Sequence, residues 1–160
     1  MAIFFNTAGG LKINTQGIIN EIIHFMKSNP RCHYKIIIGT DSELTADKKA
    51  DFVSAIVIHR VGNGGRYFYR RVEYDKIYTL RDRIIKEVLI SLEIARELLL
   101  ELKKENMPAV WDFEIHADIG ENGETKTLIQ EVVGIIRAND FEAKTKPESY
   151  VATKVADRYI

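Results

Sequence analysis

One cysteine and three prolines in 160 residues leave this chain few covalent or conformational constraints. Cys32 alone makes an intramolecular disulfide impossible and leaves no cysteine pair for a structural zinc site, so stability has to come from packing. Long apolar runs are missing as well. Ile36 to Ile38 and Leu98 to Leu100 fall far short of the roughly 20 residues a membrane-spanning helix needs. The opening Met-Ala-Ile-Phe-Phe-Asn carries no basic segment and no long apolar stretch, so it does not read as a secretory signal, and a cytoplasmic location is expected. Nor is there an excess of one charge. With 23 Lys plus Arg against 23 Asp plus Glu the net charge is zero, whereas a protein that binds nucleic acid mainly through phosphates is usually basic, so any such partner must be held by a local patch. No internal repeat, low-complexity tract or Pro/Gly-rich linker interrupts residues 1–160, which read as one domain.

What is present is a globular composition, 46% hydrophobic and 29% charged, enough to bury well over half of the chain's surface. An N-terminal extension, residues 1–30, opens with a strand-like segment turning at Gly9-Gly10. Thr15 then precedes Ile18, Ile19, Ile22, Ile23 and Met26 at helical spacing, and Asn29-Pro30 ends the run. The core, residues 34–160, begins with three strand-like runs: Tyr34 to Asp41, Asp51 to Val61 and Arg66 to Tyr74. The last two flank Gly62-Asn63-Gly64-Gly65, whose Asn-Gly is a strong hairpin signal. Ile84, Ile85, Val88, Leu89, Leu92, Ala95, Leu99 and Leu102 then form an apolar stripe on a helix spanning Leu80 to Lys104. A strand at Asp112 to Asp118, a helix at Glu124 to Ala138, a strand at Phe141 to Lys146 and a helix at Ser149 to Ile160 complete the order βββαβαβα. Hairpins can join the first three strands antiparallel, while the later ones must be parallel through right-handed crossovers. The expected architecture is an α/β fold with a mixed five-stranded sheet, order 3-2-1-4-5, helices on both faces and an extra N-terminal helix.

Ligands gather at the carboxyl ends of parallel strands, and two aspartates are expected there. Asp41 follows the apolar run Ile36-Ile37-Ile38-Gly39-Thr40, and Asp118 ends Phe113-Glu114-Ile115-His116-Ala117. Adjacent and parallel, these strands would bring two carboxylates to one crevice, where their repulsion raises a pKa or recruits a cation. Mg²⁺ takes a few carboxylate oxygens together with water and substrate phosphate, and a pair of such ions suits phosphodiester hydrolysis. His116, on the strand face of Asp118 by period-two alternation, could orient a carboxylate, take a proton or touch a phosphate, or simply be packed and hydrogen-bonded. Ser42 could donate to a phosphate or satisfy a turn. The cluster Arg60, Arg66, Arg70 and Arg71, interleaved with Tyr67, Phe68 and Tyr69, reads either as a nucleic-acid patch or as a solvated ribbon face. No nucleophile elbow is visible, and Gly120-Glu121-Asn122-Gly123 lacks the Gly-Lys-Ser/Thr ending of a phosphate loop, which disfavours covalent hydrolases and nucleoside triphosphatases.

The order βββαβαβα with Asp41 and Asp118 closing the first and fourth core strands resembles the ribonuclease H fold. The segments Ile-Ile-Ile-Gly-Thr-Asp-Ser (36–42), Ala-Ile-Val-Ile-His-Arg (55–60), Ile-His-Ala-Asp-Ile-Gly-Glu-Asn-Gly (115–123) and Lys-Val-Ala-Asp-Arg (154–158) are similar to the YkuK-type ribonuclease H-like family. That resemblance implies a metal-dependent nuclease acting on RNA, DNA or hybrid, with Asp41, Asp118, an acid on the long helix and an acid on the last helix holding two Mg²⁺ or Mn²⁺ ions. It maps the last acid onto Asp157. On a helical wheel, however, Asp157 lies away from the face of Val151, Val155 and Tyr159, with Lys154 three residues before it, a spacing equally suited to a surface ion pair. Glu87, Glu93, Glu97 and Glu101 compete for the long-helix position. At about 100° per residue Glu87 falls beside the apolar stripe and Glu93 nearly opposite it, which favours Glu87 with Glu93 as the fallback. Lys154 and His116 could contact phosphate. The alternative is a catalytically weak or inactive nucleic-acid-binding or assembly module, its third core strand exposed to pair with a second copy as a homo-oligomer.

Overall fold

A computed structural model describes residues 3–120, 123, 126–146, 148–149, 155–156 and 159. Its centre is the strand pair β3 (Tyr34–Ala46) and β4 (Lys49–Arg60), antiparallel and followed by β5 (Gly65–Tyr74). Ile36, Ile37 and Ile38 are all buried, as are Ile56, Val57 and Ile58, because this part of the sheet is covered on both faces. The β4–β5 connection is longer than a two-residue Asn-Gly hairpin. Positive φ falls on Gly62 and Gly64 rather than on Asn63, and Arg60 N–H donates to Gly64 O at 2.9 Å.

Two helices pack on one face. In α1 (Thr15–Ser28) the Asn14 side chain caps the first turn by accepting from Gly17 N–H at 2.8 Å, and Ile18, Ile19, Ile22, Phe25 and Met26 form the buried stripe. In α2 (Leu80–Leu102) Thr79 and Asp82 make a reciprocal capping box. Its inward stripe includes Ile84, Val88, Leu92, Ala95, Leu98 and Leu102, whereas Leu89 is 47% exposed, so the helix is rotated slightly from the expected face. The chain then forms β6 (Trp111–His116), parallel to β3, a 3₁₀ turn at Lys126–Leu128, α3 (Ile129–Ala138) and β7 (Glu142–Lys144), parallel to β6.

The sheet has seven strands rather than five, in the order β2-β1-β5-β4-β3-β6-β7. The five expected strands keep their expected relative order. The addition comes from the N-terminal segment, which folds back at Gly9-Gly10 into a hairpin of β1 (Phe4–Thr7) and β2 (Lys12–Asn14). Such short strands show little periodicity, and burial of Phe5 in the main core seats them. Asn6 and Thr7 of β1 pair with Tyr69 and Phe68, which covers two of the ten residues of β5 on its outer side.

The second face is narrower. Ile37, Val53, Ala55 and Val57 meet Val155 and Ala156, both helical, with Tyr67, Tyr69 and Tyr159 alongside. The Tyr159 ring stacks on Tyr69 with centroids 3.6 Å apart, and its hydroxyl lies 2.6 Å from that of Tyr67. The expected last helix otherwise lies outside the described residues, as do Lys154 and Asp157. Among the described residues no helix is long and apolar enough to cross a membrane.

Candidate metal centre

β3 carries hydrogen-bonded neighbours on both sides only as far as Gly39, which pairs with His116 at the end of β6. Its other ladder, with β4, runs on to Ala46. Asp41 therefore does not close its strand as expected. It stands on a continuing strand, opposite Val53, at the point where the β6 side opens. Asp118 lies two residues past the end of β6, the same offset that separates Asp41 from Gly39, the residue paired with His116.

Glu87 reaches the same place from α2. Glu93 points to solvent, whereas Glu87 is 6% exposed. Burial pushes its carboxyl up to about 8, and the charges of Asp41 and Asp118 push the same way, while a hydrogen bond from Ser42 and the charge of Arg83 act against them. The charges of Asp41 and Asp118, carried by segments remote from α2 in sequence, thus both act on Glu87.

Ser42 connects two of these acids. Its hydroxyl donates to Glu87 Oε2, and its backbone N–H donates to Asp41 Oδ1 at 2.9 Å. Lys146 Nζ lies 3.1 Å from Asp118 Oδ1. Below the acids, the buried Thr40 hydroxyl is 2.9 Å from that of Ser54 and 2.8 Å from that of Ser91, joining β3, β4 and α2. Thr40, Glu87, Ser91, His116 and Asp118 border a cavity of about 10 Å³, room for roughly one water. Beside it, Leu44, Tyr78, Thr79 and Arg83 line a larger hollow of about 300 Å³, and Arg83 Nε is buried without a hydrogen-bond partner among the described residues.

One ring nitrogen of His116 is engaged, while its buried Nδ1 has no hydrogen-bond partner among the described residues. Its Nε2 lies 2.8 Å from Glu114 Oε1, with both side chains buried, and this hydrogen bond holds Glu114 below the ordinary carboxylate range against the opposing effect of burial. The arginine cluster also resolves into separate contacts. Arg60 donates to Tyr34 Oη at 3.0 Å and to Phe25 O at 2.9 Å, Arg60 and Arg66 lie over the Phe25 ring, and Arg71 faces Asp51 at 3.6 Å. These contacts fasten α1 and the hairpin. Lys146, Arg83 and the Thr40–Ser54–Ser91 hydroxyls escape sequence reading because lone polar residues at unremarkable spacings carry no motif.

The donor set suits a hard divalent cation: carboxylate oxygens, one of them on an acid that burial and like charge keep from ionising freely. The resting arrangement is not a closed cage. Among the described residues no three His, Cys, Asp or Glu side chains stand ready to hold a metal ion, and Lys146 engages an Asp118 oxygen that a cation would need.

A sequence model of the family described as Ribonuclease H-like matches residues 17–160. The chain is similar to the Bacillus subtilis (strain 168) protein described as "Uncharacterized protein YkuK", with 33% identity over 167 residues that cover 98% of this chain and 96% of the relative. No solved structure matches the chain.

Proposed function

The chain belongs to the ribonuclease H-like family, and from that membership we propose that it is a divalent-metal-dependent nuclease hydrolysing phosphodiester bonds of RNA, DNA or hybrid. The observation that supports this reading is buried Glu87, bridged to Asp41 by Ser42 and acted on by the charges of Asp41 and Asp118, at the lip where β3 loses its β6 neighbour. Asp41, Glu87 and Asp118, joined by Asp157 of the C-terminal segment, would hold Mg²⁺ or Mn²⁺, two ions once substrate is present. Bound there, the ions supply Lewis-acid stabilisation of the attacking and leaving oxygens of an in-line displacement. Ser42 steadies Glu87 and Asp41 relative to each other. Arg83, its Nε without a hydrogen-bond partner among the described residues and beside the 300 Å³ hollow, offers a cation to the substrate backbone. Lys154 is a further candidate for phosphate contact, and His116 borders the small cavity that Glu87 and Asp118 also line.

A second reading, a nucleic-acid-binding or assembly module with weak or no catalysis, draws on the zero net charge and on the lack of a ready metal cage among the described residues. The two separate in one experiment. Mn²⁺ or Mg²⁺ is titrated calorimetrically into the protein and into the Asp41→Asn, Asp118→Asn double variant, and cleavage of labelled RNA, DNA and hybrid is followed in both. Metal uptake with cleavage that the variant loses supports the nuclease; no uptake at millimolar ion leaves the module.

A further inference from the structure

Lys146 is delivered to the acidic lip by the backbone. Ala117 N–H donates to Lys144 O at 2.9 Å and Lys146 N–H to Ile119 O at 2.7 Å, so the segment after β7 is fastened along the segment after β6. Gly120 permits this closeness. A Cβ at residue 120 would lie 2.9 Å from Lys146 Cβ, inside contact distance. The lysine's origin is therefore set, while its side chain, 57% exposed, keeps room to swing.

Its present partner is Asp118, at 3.1 Å. A tethered ammonium there does part of what a cation would do: it places positive charge on a carboxylate that otherwise acts unfavourably on buried Glu87. An ammonium and a divalent cation held by the same carboxylate repel each other, so they compete for Asp118. Once displaced, Lys146 remains within a side chain's length of the acids, at the surface from which a polyanionic strand approaches.

We propose that Lys146 is a displaceable counter-ion: it occupies Asp118 in the metal-free protein, is released when a divalent cation binds, and then holds a non-bridging phosphate oxygen of the substrate. Metal entry and substrate contact are thereby coupled through one side chain. The proposal rests on the nuclease reading above and adds to it a residue outside the acidic set.

The test compares the full chain with Lys146→Met and Lys146→Arg. Mn²⁺ affinity is measured by calorimetry at low ionic strength, and KM and kcat for cleavage of labelled substrate at saturating Mn²⁺. Lys146→Met is expected to bind Mn²⁺ roughly three- to tenfold more tightly, having lost the competing charge. Its KM is expected to rise by a similar factor, about three- to tenfold, having lost the phosphate contact. Lys146→Arg stays near the parent in Mn²⁺ affinity. Equal or weaker Mn²⁺ affinity in Lys146→Met, while the parent binds metal, overturns this proposal and leaves the nuclease reading intact. Tighter Mn²⁺ binding with unchanged KM overturns the coupling to substrate. No Mn²⁺ uptake by any of the three proteins overturns both readings together.

Discussion

Ser42 donates its hydroxyl to Glu87 and its backbone N–H to Asp41, so a single residue of β3 touches acids carried by a strand and by a helix. The hydroxyl bond is the strongest influence favouring the charged form of Glu87 against burial. Ser42→Ala is expected to weaken Mn²⁺ binding by roughly tenfold, since a hydrogen bond to a charged group contributes about 1.5–3 kcal/mol and part of that will be recovered by water. Calorimetric titration reads the affinity. Because Ser42 is only half-buried, the far-UV circular dichroism of the variant should match the parent.

Glu87 gives the protein a pH signature in the absence of metal. Its carboxyl is pushed up to about 8 by burial first and by neighbouring charge second, against an ordinary value of 4.5. Between these values the folded chain holds a proton that the unfolded chain has lost. Stability is therefore highest below about 4.5 as far as this group is concerned, declines as pH rises, and levels off above about 8. Urea unfolding in chelator at pH 5, 7 and 9 should show that decline in the parent and a flatter profile in Glu87→Gln, which should be the more stable of the two at pH 9 by about 2–4 kcal/mol. Millimolar Mg²⁺ should restore the parent at pH 9 and leave Glu87→Gln little changed. A parallel decline in both proteins would contradict the assignment.

The Thr40, Ser54 and Ser91 hydroxyls make an ordering of variants. Thr40 touches both of the others. Thr40→Val keeps the shape and leaves two buried hydroxyls without this partner, a loss of roughly 2–3 kcal/mol, while Ser91→Ala leaves the Thr40–Ser54 contact and should cost about 1 kcal/mol. Urea midpoints should rank parent, Ser91→Ala, Thr40→Val. The reverse order would mean that the trio is not the tie between α2 and the sheet.

Tyr159 fastens the C-terminal segment through its stack on Tyr69 and its hydroxyl contact with Tyr67. Tyr159→Ala should destabilise the protein by about 1–2 kcal/mol and speed removal of the last residues by carboxypeptidase. With Asp157 two residues away in the chain, cleavage activity should fall further than the stability loss explains, whereas Tyr159→Phe, which keeps the stack, should fall less.

Periodicity exposed the elements that bury a full face. The isoleucines of β3, the apolar stripes of α1 and α2 and the Gly62 to Gly65 turn were readable because each repeats a physical requirement over many residues. β1 and β2 were not, since strands of four and three residues are stabilised by pairing rather than by their own pattern. β3 also outran its expected end at Asp41. A charged residue there reads as a boundary, but the ladder with β4 needs only backbone and continues past it. At the site, Glu87 was legible over Glu93 because an acid beside an apolar stripe must be desolvated. Lys146 and Thr40 were not, because what matters about them is which residue of another segment they meet.

The sheet's two flanks end alike. Its outermost strands, β2 and β7, have three residues each, too few main-chain donors and acceptors to template another polypeptide. A ladder could instead be extended only where longer strands lose a neighbour among the described residues, along Thr40 to Ala46 of β3 and Arg70 to Tyr74 of β5.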